Sequence, residues 1–427
     1  MVTAGNRASL TFATARLLPL SSIRTRAVRI AVVVSSLGGG GAERVVVDLC
    51  RYLRDSGRDV TLITLSGNDP DAYPVPEGIR RERVEIRRLA GSLLDTIRFS
   101  LSHLAAMRRK IVSLSPDVVV SFVDQTNVRS ILALLGTGIP VIVSERVHPA
   151  HNPISHGWKV ARRLTYPLAD VVTVQTEDGA KWFRRCTRVR RLVIVGNAAR
   201  SPQDLRAGAA ASAFAISRPL ILAIGRLTRQ KGFDLLLDAF HRSGLMNDGW
   251  HLAILGEGAE REALMQQASA LGIADVVTLP GYLSDVGPWL RQADLFVLSS
   301  RYEGFPNVLM EAMQLGQASI SFDCPSGPSE LIEDGRNGCL VAPGNVGGLG
   351  DAMRRVALDA DFRRRLAAEA PKVSERFSPA AIYARWLRLI DMVAVGELRN
   401  QDIEYLLKLT DNVIDGAQPN RSSGTGQ

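Results

Sequence analysis

A chain of 427 residues, 46% of them hydrophobic and 22% charged, is long enough for two or three domains and apolar enough to fill their cores. Its net charge of +9 suits an anionic partner, yet no charge-free apolar run reaches the roughly 18 residues that a membrane-spanning helix needs. Cys50, Cys186, Cys324 and Cys339 are too scattered for a zinc site or a disulfide framework, so a reducing compartment is expected.

Residues 1–26 carry Arg7, Arg16, Arg24 and Arg26 and no acid. Arg16 interrupts any apolar core for secretion, so the segment reads as a disordered N-terminal extension. From Val28 the run Arg-Ile-Ala-Val-Val-Val predicts a buried strand. Gly38 to Gly41 follow, and then a helix with Val45, Val46, Leu49 and Leu53 on one face. Strand, glycine loop and helix bring backbone amides close to an anion. A nicotinamide site is excluded, because no glycine stands at Glu43 or Arg44 and the second strand, Asp59 to Leu65, does not end on an acid.

Residues Arg80 to Lys110 hold nine Arg or Lys against three acids, a balance of +6, and set Leu93, Ile97, Leu101, Leu104 and Ile111 on one helical face. Two readings stand: a packing helix with a solvated basic side, or a surface that meets anionic lipid. A second cluster, Arg184, Arg185, Arg188, Arg190 and Arg191, adds to the latter. Apolar runs at Val118 to Val123, Pro140 to Ser144, Val171 to Gln175 and Leu192 to Val195 alternate with helical segments. Such alternation predicts a parallel sheet with helices on both faces, over residues 27–200. The Ala- and Ser-rich residues 201–217 read as a linker.

The second domain, residues 218–376, opens with Leu220 to Ile224, which delivers Gly225-Arg226 to a strand end, with Lys231 in the next turn. In open parallel sheets ligands bind off those carboxyl ends, where Arg and Lys can neutralise a diphosphate. Further strands are expected at His251 to Leu255, Val276 to Leu279, Asp294 to Leu298, Ile320 to Asp323 and Gly338 to Val341. After Leu298 comes the turn Glu303-Gly304-Phe305-Pro306 and a helix start at Asn307. Helix-start amides suit a phosphate. Glu303 lies before that site and Glu311 about one and a half turns inside the helix, so the carboxylates can touch different ends of one ligand. Asp69-Pro70-Asp71 reads as a turn and no metal site is expected. A last helix is expected over 377–397, followed by a tail, 398–427.

The stretch Glu303-Gly-Phe-Pro-Asn-Val-Leu-Met-Glu311 resembles the paired-glutamate signature of retaining glycosyltransferases of the group 1 class (GT4). Gly225-Arg226, Lys231-Gly232, Gly38 to Gly41 and Gly327-Pro328-Ser329-Glu330 match further motifs of that class in the same order, over residues 28–397. The resemblance implies an α/β chain of GT-B architecture, two Rossmann-like parallel-sheet domains facing across a cleft, with the last helix crossing back to the first. It implies retaining transfer of a hexose or N-acetylhexosamine from a nucleoside diphosphate sugar, UDP foremost, to a lipid-linked or polysaccharide-precursor acceptor. Glu303, Arg226, Lys231 and His148 are the implied catalytic residues. Gly39, Gly40, Gly225, Tyr282, Gly304, Phe305, Asn307, Val308 and Glu311 are the implied donor contacts. Relatives carry a histidine near the strand end before residue 145. Here Glu145 and Arg146 come first and the nearest histidines are His148 and His151; His148 is the candidate, with a loop histidine of no chemical role as the other reading. No cofactor and no nucleic acid is expected, and the protein is placed in the cytoplasm, peripheral on the inner face of the plasma membrane. A soluble acceptor such as inositol phosphate or a hexose is the alternative, and a non-catalytic sugar-nucleotide-binding protein the remote one.

Overall fold

The computed structural model describes residues 27–38, 41–65, 71–84, 93–152, 154–200, 218–283 and 285–398. The expected extension, the linker, the tail beyond Leu398, and Gly39 and Gly40 lie outside the described residues. The first sheet holds β1 (Arg29–Val34), β2 (Asp59–Thr64), β3 (Arg80–Arg83), β4 (Val118–Phe122), β5 (Val141–Ser144), β6 (Val171–Val174) and β7 (Leu192–Ile194). Its order is β3-β2-β1-β4-β5-β6-β7 and every pairing is parallel. Valine and isoleucine dominate these runs because both faces are covered by helices, and Ile30 to Val34 are all buried.

The basic stretch divides into two elements. Leu93–Leu114 is a helix, as its apolar spacing predicts, and the Arg-Arg-Glu-Arg segment before it, to which the sequence reading gave no element, is an edge strand, with Thr61 opposite Arg80 and Thr64 opposite Arg83. An edge strand needs no apolar face, and its charges discourage pairing with other chains. Those charges are also engaged within the chain, Arg81 with Asp71, and Arg80 and Lys110 with Glu82.

The second sheet is built from β8 (Leu220–Ile224), β9 (His251–Leu255), β10 (Val277–Gly281), β11 (Leu295–Leu298), β12 (Ser319–Phe322) and β13 (Cys339–Val341). Its order is β10-β9-β8-β11-β12-β13, again all parallel. Chain direction across each sheet switches between two neighbours, β1 and β4 in the first and β8 and β11 in the second. Crevices open at the carboxyl ends of such strand pairs. Gly225 follows β8 and Ser299 follows β11, so the two motif-bearing turns of the second domain meet there.

The helix Pro379–Ala394 returns to the first domain. Ser378 caps it by accepting from the Ala381 amide, and Pro379 takes the first helical position, where its missing N–H costs nothing. Its inner face buries Trp386, Leu389 and Ile390 completely. Trp386 lies 5.7 Å from Phe122 at the end of β4, Tyr383 lies 5.3 Å from Tyr52, and Arg58 grips Asp391 at 2.9 and 2.6 Å. Where the chain crosses between domains, the Ala199 amide donates to the Phe377 carbonyl at 2.8 Å, so the two crossing points are tied together.

Candidate active site

Glu303 sits in the turn after β11 and is only 4% exposed. Its Oε1 accepts from Lys231 Nζ at 2.7 Å and from the Ser300 hydroxyl at 2.6 Å. Two glycines let the lysine reach it. A Cβ on Gly225 would stand 3.1 to 3.2 Å from three carbons of the Lys231 stem, so the bare glycine makes room for that stem to lie across β8's end. Gly232 takes a left-handed φ of 63°, and a Cβ there would fall 2.1 Å from the Ser299 carbonyl. Arg226 is exposed and forms no ion pair among the described residues, so its planar fork is free to meet an anion.

The helix Asn307–Gln314 begins directly after Pro306. The Asn307 amide is engaged by the Phe305 carbonyl at 2.9 Å, which leaves the Val308 and Leu309 amides without a partner among the described residues. The Asn307 side-chain oxygen accepts from Asn197 of the first domain at 2.7 Å. Glu311 is buried and receives Arg44 Nη1 at 2.6 Å, again from the first domain. The Phe305 ring is also buried and meets Phe377 edge to face at 5.3 Å, so its side chain is packing. Tyr282 is 71% exposed beside Gly281.

Gly304 brings the domains into contact. A Cβ at this position would lie 2.1 Å from the Arg146 carbonyl and 3.1 Å from Val147 Cα, so the signature turn rests on the backbone that follows β5. Beside it, Thr176 and Ser326 share a hydrogen bond of 2.6 Å, and the Glu177 amide donates to Glu330 at 2.9 Å. The Gly-Pro-x-Glu segment is therefore a domain contact at the start of a first-domain helix.

His148 is buried in the same crevice, which it lines together with Glu145, Gln175, Thr176, Gly304 and Ser326. Its Nδ1 accepts from the Ala150 amide at 3.3 Å, which leaves the proton on Nε2, 3.3 Å from Asp178. Burial lowers its pKa, so the ring is neutral at pH 7. Behind it, Glu145 accepts from the Tyr166 hydroxyl at 2.5 Å, with Arg162 at 3.7 Å. Burial pushes the Glu145 carboxyl up to about 7.

The structure thus gathers Glu303, Lys231, Gly225, Gly304, Asn307, Val308, Glu311 and His148 at the facing strand ends. Arg44, Arg146 and Asn197 of the first domain stand there too, and the sequence reading assigned them no role. Their signal was position alone: Arg44 in the first turn after the glycine run, Asn197 in the segment that closes the first domain. Among the described residues no three His, Cys, Asp or Glu side chains form a metal-binding group. Nor, among them, is any helix long and apolar enough to cross a membrane. Arg163, Arg184, Arg185, Arg188 and Arg190 line a groove of about 900 Å³ on the first domain, where Leu164 is 69% exposed.

Two parallel-sheet domains that face each other at their strand ends form the GT-B architecture. Among solved structures, sucrose-phosphate synthase from Thermosynechococcus elongatus superimposes with a TM-score of 0.73 at 19% identity, covering 86% of this chain and 100% of that one. HepE from Anabaena, solved in complex with UDP and glucose, gives a TM-score of 0.69 at 20% identity over 85% of this chain and 99% of its own. The family model "Glycosyl transferases group 1" matches residues 209–373, and "Glycosyl transferase 4-like domain" matches residues 40–198. The chain belongs to the group 1 (GT4) glycosyltransferases.

Relatives include an enzyme of Campylobacter jejuni named as the GalNAc-alpha-(1->4)-GalNAc-alpha-(1->3)-diNAcBac-PP-undecaprenol alpha-1,4-N-acetyl-D-galactosaminyltransferase, 27% identical over 363 residues, 85% of this chain and 98% of that protein. The amylovoran biosynthesis glycosyltransferase AmsD of Erwinia amylovora is 27% identical over 350 residues, 81% of this chain and 95% of AmsD.

Proposed function

We propose that this glycosyltransferase moves a hexose or N-acetylhexosamine, with retention, from a nucleoside diphosphate sugar, UDP foremost, to a lipid-linked or polysaccharide-precursor acceptor. The observation that carries the reading is the pairing of both signature carboxylates with cations at one crevice, Glu303 with Lys231 and Glu311 with Arg44. Buried carboxylates placed this way are held ready for hydroxyl groups, and the cations beside them for phosphate.

In this mechanism Glu311 holds the ribose and Glu303 the hydroxyls of the sugar ring. Lys231, Arg226 and the free amides of Val308 and Leu309 stabilise the diphosphate as it departs, without a metal ion. Neutral His148 is suited to hydrogen-bond the sugar or the acceptor hydroxyl. The HepE complex with UDP supports the choice of nucleotide. The undecaprenol-linked substrate in the name of the C. jejuni relative supports the choice of acceptor. The basic groove around Arg185 and Leu164 supports a peripheral site on an anionic membrane face, cytoplasmic in the proposed setting.

The test is donor consumption, with UDP-, GDP- and ADP-sugars offered beside a membrane lipid extract and, separately, soluble acceptors. Lipid-dependent release of one nucleoside diphosphate is expected. Release with soluble acceptors alone would discard the lipid, and silence with every pair would count against the proposed donor.

A further inference from the structure

Two arginines of the first domain bear on the Asn307 helix, Arg44 directly through Glu311 and Arg146 through Asn197. Arg44 donates to Glu311 across the domain boundary at 2.6 Å, with both side chains largely buried. Arg146 follows β5 and is buried, and its Nη2 bonds the side-chain oxygen of Asn197. Its Nε and Nη1 are buried with no hydrogen-bond partner among the described residues. Asn197 also donates to Asn307, and a Cβ on Gly41 would lie 3.1 Å from the Asn307 side-chain nitrogen. Tyr383, buried on the returning helix, lies within electrostatic range of both guanidinium groups.

A buried cation is tolerated when an anion faces it, and a guanidinium with idle N–H groups is costly. Arg44 has a hydrogen-bonded carboxylate only while Glu311 holds nothing else, with Asp48 acting on it at longer range. Once Glu311 turns to ribose hydroxyls, Arg44 is left inside the cleft without a hydrogen-bonded carboxylate, and Arg146 already has none, with Glu43 acting on it only at range. A diphosphate lying on the Val308 and Leu309 amides supplies charge and oxygen acceptors for both.

We propose that Arg44 and Arg146 bind the diphosphate of the donor from the first-domain side, with Arg44 exchanging Glu311 for a phosphate oxygen as the donor enters. The proposal rests on the nucleotide-sugar reading of this site. It divides phosphate recognition between the domains, with Arg226 and Lys231 on one side and the two arginines on the other. A nucleoside without phosphates cannot make the exchange, and that separates this role from simple packing.

Calorimetry of UDP, GDP, ADP and their parent nucleosides with the full chain tests it, using wild type, Arg44→Met, Arg146→Met and Arg44→Lys. Diphosphate affinity should fall by roughly 10- to 100-fold in each Met variant, the usual worth of a charge-assisted hydrogen bond. Nucleoside affinity should hold or, in Arg44→Met, rise because Glu311 is released, and Arg44→Lys should recover part of the loss. Retained nucleoside binding doubles as proof that each variant is folded. Unchanged diphosphate affinity, or an equal fall for nucleoside and diphosphate, would overturn the exchange while leaving the donor reading intact. A wild type that binds none of the three diphosphates would overturn the donor reading and the exchange with it.

Discussion

Lys231 Nζ stands 2.7 Å from Glu303 Oε1, both side chains mostly shielded from solvent, with the lysine stem laid across Gly225. Removing one member of such a pair leaves the other charge uncompensated, whereas neutralising both can be nearly harmless. Lys231→Met should therefore lower kcat by roughly 10²- to 10³-fold, the usual cost of losing a donor to developing negative charge. It should also lower stability by about 1–3 kcal/mol. Adding Glu303→Gln should restore the melting temperature without restoring turnover. Recovery of turnover in the double variant would remove Lys231 from the phosphate.

Gly304 is where the domains touch, backbone against backbone. A methyl group there meets the Arg146 carbonyl at 2.1 Å, and neither neighbour is a flexible side chain that could give way. Gly304→Ala should leave each domain folded but hold the cleft ajar. Solution scattering should show a larger radius of gyration, and donor turnover should drop at least tenfold, as small misplacements at a reacting centre do, by about two orders of magnitude. An unchanged radius with full activity would mean that the contact is dispensable.

Glu145 gives a pH signature. Its carboxyl has an ordinary value of 4.5 and is pushed up to about 7 by burial. Between those values the folded chain keeps a proton that the unfolded chain has released. Stability from this group is thus present below pH 4.5 and falls as pH rises towards 7, by at most about 3 kcal/mol. Glu145→Gln should flatten that part of the stability curve in denaturant titrations run at several pH values. Parallel curves for the two proteins would show that Glu145 does not titrate there.

The basic groove predicts a salt-dependent membrane affinity. Each cation near an anionic leaflet adds about 1 kcal/mol. Changing Arg163, Arg185, Arg188 and Arg190 to Gln should weaken binding to phosphatidylserine-containing vesicles by roughly three orders of magnitude at 0.1 M salt, and less at 0.5 M. Changing Arg80 and Arg81 should matter less, because Glu82 and Asp71 already answer them. Equal effects from both sets would return the basic edge strand to consideration.

Much of the architecture was legible because buried parallel strands write themselves as valine and isoleucine runs, as at Arg29 to Val34. The signature turn was legible too, since Gly304, Pro306 and the helix behind them leave few alternatives. β3 was not, because an edge strand of four charged residues carries no alternation of apolar and polar positions. Arg44 and Arg146 escaped for a different reason. Their roles depend on which residues of the other domain they face, Glu311 and Asn197–Asn307, and a separation of 267 positions between Arg44 and Glu311 leaves no local pattern. Val123, with a φ of 73° after β4, is opposed by its own sequence, as β-branched residues avoid that region.

The returning helix Pro379–Ala394 also says something about how the chain is assembled. Trp386 closes the core over Phe122, so the first domain is completed by residues synthesised after the whole of the second. In this sense the segment that carries β8 to β13 is an insertion within the first domain rather than its successor. The amino-terminal half alone would emerge from the ribosome with an apolar face still uncovered. A donor domain exchanged between relatives would keep both halves of the first domain's core only if the cuts fell on either side of the Ala199–Phe377 crossing.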